Sequence, residues 1–238
     1  KKGTVPFFQN IQRQGSDQKK GALLLSKGMR LYAPQISIAA SIGKTHLKIK
    51  QKLKVAVIAT GDELKPVSSK VTPYQTRLSN SYFIKTALDH TGLFDAKMFH
   101  IRDDKKLISN TLKKLLNAYD VLVLSGGVSK GKFDFVPGAL HQLGVKKLIH
   151  HVSQKPGKPM WFGVSKKCVP VFALPGNPIS TQVCLVRYVI PHLSEALGLN
   201  PSFQFVKLTE DVRITTNYTK FLPVRVCQTN DAVCIAKP

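Results

Sequence analysis

The chain has 238 residues, 43% of them apolar, enough for a buried core, so global disorder is excluded. Lys and Arg number 36 against 13 Asp and Glu, giving a formal charge of +23 that predicts nonspecific attraction to polyanions with a marked salt dependence. No apolar run approaches the roughly eighteen residues of a membrane span, so no membrane partner is expected.

The chain opens on Lys1 rather than Met, inside the strand-type run Thr4-Val5-Pro6-Phe7-Phe8, which predicts a trimmed fragment. Residues 1–20 are polar and turn-rich. Ala22 to Leu25 leads to a turn at Gly28, and Pro34 opens a short helix through Ser41 with Gly43 just past its end. Thr45 to Lys50 alternates like a half-exposed strand. Residues 1–50 therefore read as a partial N-terminal linker or small domain.

From Val55 the pattern becomes strands alternating with helices. Val55 to Ala59 is a strand. Ser79 or Asn80 caps a helix toward His90, which Gly92 ends. Met98 to Ile101 is a strand, and Lys105 to Ala118 a helix with Leu107, Ile108, Leu112, Leu115 and Leu116 on its inner face. Val121 to Leu124 is a continuously apolar strand, as a buried parallel sheet requires. Pro137 to Leu143 is a short helix. Val145 to Val152, Met160 to Val164 and Val169 to Leu174 are strands, and Asn177 to Leu197 a long amphipathic helix with Pro191 as a possible interruption. This alternation predicts an α/β domain over 51–199, a doubly wound and mostly parallel sheet. After Pro201 the runs Phe203 to Leu208, Val212 to Ile214 and Val224 to Cys227 read as the start of a separate β domain, 200–238, truncated at Pro238.

Five of the thirteen acids fall in three short turns: Asp62 and Glu63, Asp103 and Asp104, and Asp134. All three turns follow strands, and the carboxyl ends of parallel strands share the sheet edge where ligands bind. In an acid-poor chain this concentration points to a metal or phosphate site. Asp62 reads as a turn residue and Asp104 as the cap of the following helix. The adjacent His150 and His151 would point to opposite faces of a strand, which argues against a metal pair. Cys168, Cys184, Cys227 and Cys234 lack Cys-x-x-Cys spacing, so reduced thiols in a cytoplasmic protein are the simplest account. No basic stretch is interleaved with aromatics as a nucleic-acid stacking groove would be, so nucleic-acid binding rests on charge alone.

Three more signatures accompany the acids. Lys155-Pro156-Gly157-Lys158-Pro159 is a rigid loop with two ammonium groups. Leu174-Pro175-Gly176-Asn177-Pro178-Ile179-Ser180 runs from a strand into a helix, where amides and the Ser180 hydroxyl can meet an anion. Gln75 to Ser81 opens the helix after the first strand. With TGDEL at 60–64, IRDD at 101–104 and SGGVSxGxxD at 125–134, these motifs resemble the molybdopterin molybdenumtransferase (MoeA) family, which includes the E domain of gephyrin. The resemblance covers nearly the whole chain, and the KPGKP and LPGNPxS pair separates it from related pterin-adenylating proteins.

The resemblance implies a transferase of molybdenum cofactor biosynthesis. Such a protein cleaves adenylated molybdopterin, releases AMP with the help of Mg²⁺, and inserts molybdate at the dithiolene sulfurs. Glu63, Asp103 and Asp134 are then the expected catalytic and metal-binding carboxylates, since Mg²⁺ takes one or two carboxylates beside substrate phosphates. Gly126, Gly127, Ser129 and Gly131 would approach a phosphate, and Lys155, Lys158, Gly176, Asn177 and Ser180 would supply donors to molybdate or phosphate. The implied partners are the pterin phosphate and a second copy of the chain, as a homodimer. The chain departs from the family pattern at Leu78, commonly Asp; at Lys130, normally apolar; and at His151, usually Lys or Arg. It also lacks an arginine in Asn217-Tyr218-Thr219-Lys220-Phe221. Those departures motivate the alternative of a non-catalytic molybdopterin-binding or scaffold paralogue.

Overall fold

The computed structural model describes residues 9, 11–127, 135–200, 205–228 and 234–237. The chain divides into two compact units, Lys1–Ile49 and Lys50–Pro238. Within the first, Pro34 lies in the opening turn of helix α1, Ala33–Ser41, where its missing N–H costs nothing. Gly43 just beyond it has a φ of 75°. The strand expected over 45–50 does not form; these residues are exposed and in no ladder. Alternation sets which face a strand would bury, but a strand also needs a neighbour to receive its hydrogen bonds.

The second unit is built on β1 (Leu53–Thr60), β2 (Leu64–Lys65), β3 (Thr76–Arg77), α2 (Ser79–His90), β4 (Phe94–Ile101), α3 (Lys105–Ala118) and β5 (Val121–Ser125). It continues with α4 (Phe135–Gln142), β6 (Lys146–His150), β7 (Gln154–Lys155), β8 (Trp161–Val164) and β9 (Pro170–Leu174). Next comes one long helical stretch: α5 (Pro178–Cys184), a π-helical turn Leu185–Val189, and α6 (Ile190–Ala196). Short strands close the chain: β10 (Lys207–Leu208), β11 (Thr219–Lys220), β12 (Arg225–Gln228) and β13 (Cys234–Lys237).

The main sheet has the order β4-β1-β5-β9-β8-β6. β4, β1, β5 and β9 run parallel, while β8 and β6 pair antiparallel. Alternate residues of the central strands feed two cores. Ala56, Ile58, Leu122, Leu124, Val171 and Ala173 pack with Ile108, Leu112 and Leu140 of α3 and α4. Val55, Val57, Val121, Val123, Phe172 and Leu174 pack with Ile84, Leu88, Cys184 and Leu193 from the other helices. Apolar residues on both faces are why these strands read as unbroken hydrophobic runs. The fold is therefore a doubly wound α/β sheet, mostly parallel, as the alternation predicts.

From β1 the chain winds through α2 to β4 on one side of the sheet, then crosses through α3 to β5 on the other side of β1. The carboxyl ends of β1 and β5 thus flank the point where strand order reverses, the place such sheets use for ligands.

Three local departures have physical causes. Leu107, expected inside, is 46% exposed, because the Asp104 side chain accepts from its N–H and sets it in the first turn of α3, beyond the buried stripe of Ile108, Leu112, Leu115 and Leu116. The residue at the cap of α2 is Leu78, without a side-chain hydrogen bond, and Ser79 is already helical. His150 ends its strand and His151 has a φ of 67°, so their rings lie 4.0 Å apart rather than on opposite faces.

Candidate functional site

The ends of β1 and β5, the turn after β9 and the first turn of α2 enclose a cavity of about 240 Å³. Asn80, in that first turn, donates from Nδ2 to Ser125 Oγ (2.9 Å) and to the Gly176 carbonyl (2.9 Å). One amide thereby ties the helix start to the end of β5 and to the β9–α5 turn. Thr60 and Ser81 also line the cavity, 5% and 3% exposed, and among the described residues neither hydroxyl has a hydrogen-bond partner. An unpaired buried hydroxyl costs about 1–3 kcal/mol, so a polar ligand group that reaches both is favoured. Gly127 has a φ of 69°, and a Cβ there would stand 2.5 Å from Thr60 Oγ1 and 2.9 Å from Val136 Cγ2. Only glycine fits this turn beside Thr60 without crowding it.

Two of the acidic turns meet at the same edge. The Gly61 N–H bonds the Ile101 carbonyl (3.4 Å), and His100 Nε2 donates to the Gly61 carbonyl (2.9 Å). Asp62 N–H donates to Asp103 Oδ2 (3.3 Å). The 60–64 turn is thus clasped to the 101–104 turn. Glu63 is exposed and lines the cavity; Asp103 is half-buried and does not line it. Arg77 lines the cavity too, but its guanidinium donates to the carbonyls of Val67 (3.1 Å) and Ser69 (3.2 Å). Asp134, Ser129 and Gly131 lie outside the described residues. Among the described residues no group of three or more His, Cys, Asp or Glu could hold a metal ion.

The lysine loop is a separate feature of this unit. β7 pairs in parallel with β11, setting Lys155 beside Lys220, and the Phe221 N–H bonds the Lys155 carbonyl (3.0 Å). The Lys155–Pro156 peptide is cis. Lys158 Nζ donates to Tyr218 Oη (3.1 Å) and lies 5.1 Å from the centre of that ring. The hydrogen bond and charge of Lys158 lower the Tyr218 pKa. Both ammonium groups belong to exposed residues, and neither lines the cavity. Ser180 is buried; its N–H donates to Asn177 Oδ1 (3.2 Å), so Asn177 caps α5.

The structure thus gathers Glu63, Gly126 and Gly176 on one cavity, puts Asp103, Gly127 and Asn177 in turns that join it, and sets Lys155 and Lys158 on their own loop. Sequence reasoning did not single out Thr60, Asn80, Ser81, Gln154 or Tyr218 as site residues. Four of these adjoin or lie within recognised motifs: Thr60 opens TGDEL, Gln154 precedes KPGKP, and Asn80 and Ser81 end the helix-opening segment. Tyr218 stands in the stretch that the family pattern gives an arginine.

A family model described as "probable molybdopterin binding domain" matches residues 56–195, the part of the chain that carries the main sheet. The molybdopterin molybdenumtransferase of Synechocystis is 40% identical over 96% of this chain and 56% of its own length. That of Staphylococcus epidermidis is 30% identical over 96% and 55%. The crystal structure of a molybdopterin biosynthesis MoeA protein from Pyrococcus horikoshii superposes with a TM-score of 0.74 at 31% identity, covering 92% of this chain and 54% of that one. The chain spans about half the length of the curated relatives it matches. The ordered motifs, the doubly wound sheet and these similarities agree, and the chain belongs to the molybdopterin-binding domain family.

Proposed function

We propose that this chain carries the substrate-binding sheet of a molybdopterin molybdenumtransferase, which cleaves the phosphoanhydride of adenylated molybdopterin, releases AMP and inserts molybdate. The observation that carries the reading is the cavity at the sheet's reversal point, with two buried hydroxyls that have no partner among the described residues and the Glu63 carboxylate on its wall. A heterocycle rich in donors and acceptors suits that wall, where the Arg77 guanidinium is already held by two backbone carbonyls. Hydroxyls both donate and accept, and a carboxylate accepts.

The donor chemistry fits Mg²⁺: Glu63 and Asp103 offer hard oxygens from turns held together by the Asp62–Asp103 bond. Asp134 is the third proposed carboxylate. Bound there, Mg²⁺ would neutralise charge on the scissile phosphate. Gly126, Gly127, Ser129 and Gly131 are assigned to the phosphate, with Gly176, Asn177 and Ser180 on the opposite turn. Lys155 and Lys158 bind the molybdate oxyanion by charge-assisted hydrogen bonds. Residues 200–238 are assigned to a second β domain, residues 1–50 to a partial linker or small domain, and the working unit to a cytoplasmic homodimer.

The test is AMP release from adenylated molybdopterin with molybdate and Mg²⁺ by the full-length protein. Asp103→Ala and Lys155→Met are each expected to lower the rate by about 10²–10³-fold, the scale for removing a group that meets developing charge. Unchanged rates in both variants would remove the assigned roles. One feature favours a pterin-binding protein without turnover: Lys158 meets a tyrosine, where the family pattern sets an arginine nearby. Tight pterin binding with no AMP release would select that alternative.

A further inference from the structure

The KPGKP loop is held from behind by side chains that the sequence motifs do not mark. Gln154 is 2% exposed. Its Nε2 donates to the Pro156 carbonyl (3.0 Å) and lies 3.7 Å from Cys184 Sγ, while its Oε1 accepts from the Tyr188 hydroxyl. The Cys184 thiol in turn donates to the Gly157 carbonyl (3.7 Å). Gly157 has a φ of 98°, and a Cβ on it would stand 2.5 Å from Gln154 Nε2 and 2.7 Å from Cys184 Sγ. The turn between the two lysines is thus pressed against two side chains, Gln154 and Cys184, and Tyr188 braces Gln154; Cys184 and Tyr188 both come from the long helical stretch.

Tyr188 reaches Gln154 from the π turn Leu185–Val189, where the Ile190 N–H bonds the Leu185 carbonyl. Pro191 follows, and its ring would clash with the carbonyl of Arg187, four residues back, in a regular α-helix. A wider turn relieves that clash and shifts the residues it contains around the helix axis. The local irregularity therefore has a use: it faces Tyr188 toward the loop.

We infer that Gln154, Tyr188 and Cys184 are positioning residues that set the spacing of the Lys155 and Lys158 ammonium groups for a tetrahedral oxyanion. This rests on the proposal that those lysines hold molybdate. The ammonium groups sit one residue on either side of the Pro156-Gly157 turn, so a shift of either bonded carbonyl moves both. Conformational restriction of this kind improves affinity by lowering the ordering cost of binding.

The experiment measures equilibrium binding of molybdate alone to the full-length protein, beside its thermal midpoint. Tyr188→Phe removes one hydroxyl and keeps the ring; Gln154→Leu removes the hub. Tyr188→Phe is expected to weaken molybdate binding about 5–10-fold, the scale of one buried hydrogen bond, at a nearly unchanged midpoint. The double variant should be no weaker than Gln154→Leu alone, because the two act through one path. A lowered midpoint with wild-type affinity would mark a merely structural role and overturn the inference. So would wild-type binding in Tyr188→Phe when Lys155→Met has lost it. If the wild type binds no molybdate, or Lys155→Met binds it as well as the wild type, the oxyanion assignment fails and the inference falls with it.

Discussion

A buried hydroxyl without a partner lowers the stability of the empty protein and raises the gain when a ligand satisfies it. Thr60 and Ser81 put two such groups on one cavity wall. Thr60→Val keeps the shape and removes the polarity, so it should leave the unliganded chain as stable or up to about 1 kcal/mol more stable. In the full-length protein it should weaken binding of adenylated molybdopterin about tenfold. Denaturant melts and a binding titration read the two effects separately; a loss of both would mean the hydroxyl is structural. Cys184 gives a second prediction. Burial pushes its thiol pKa up to about 11, from an ordinary value near 9.0. The folded state therefore holds a proton that the unfolded chain releases. The stabilising effect is complete below about pH 9 and is lost as pH rises toward 11. The wild type should lose stability more steeply than Cys184→Ala between pH 9 and 11, and the two slopes should match below pH 8. The exposed thiol of Cys168 should react with thiol reagents at neutral pH, while Cys184 stays inert.

Among the elements, the ones legible in the sequence are those whose residues answer to a single cause. β1, β5 and β9 are apolar on both faces because helices cover both, and their runs can be read directly. α3 starts where Asp104 caps it, with the carboxylate 2.7 Å from the Leu107 N–H. Asp104→Ala should cost about 0.5–2 kcal/mol in a urea melt; Leu124→Ala, in the centre of the sheet, should cost about 2–5 kcal/mol. An equal cost for the two would contradict the ranking of cap against core. Elements that depend on a distant partner were less legible. β7 and β11 are two residues each and exist because Gln154 and Thr219, far apart in sequence, lie side by side. No local pattern announces such a pair. The same holds for the site: glycine-rich and acidic turns carry their own signal, as Gly127 and Asp103 do, whereas Asn80, Gln154 and Tyr188 act through contacts 30 or more residues away. The run 45–50 shows the converse, a correct alternation with no neighbouring strand to use it.

At the scale of the whole molecule, the chain carries an excess of 23 positive charges, yet the cavity at the sheet edge is lined by one carboxylate, Glu63, and one guanidinium, Arg77. The lysines are spread over helix faces, loops and the edge strand β6, where Lys146 and Lys147 are exposed and discourage pairing with another sheet. Positive charge spread in this way attracts any polyanion without reading it, since no aromatic stacking surface is interleaved with it. Heparin or DNA should therefore bind the chain at low salt without sequence preference. If about 6–10 phosphates are neutralised, affinity should fall about 10³–10⁵-fold between 50 and 200 mM salt. Fluorescence anisotropy with two unrelated duplexes across that range checks both points. Molybdate binding at Lys155 and Lys158 involves a small anion and few released counterions, so its salt slope should be much shallower. Parallel slopes would mean that the lysine loop is part of the diffuse positive surface rather than a shaped site. Selective binding of one duplex near 150 mM salt would instead give the charge a sequence-reading function that its scattered arrangement argues against.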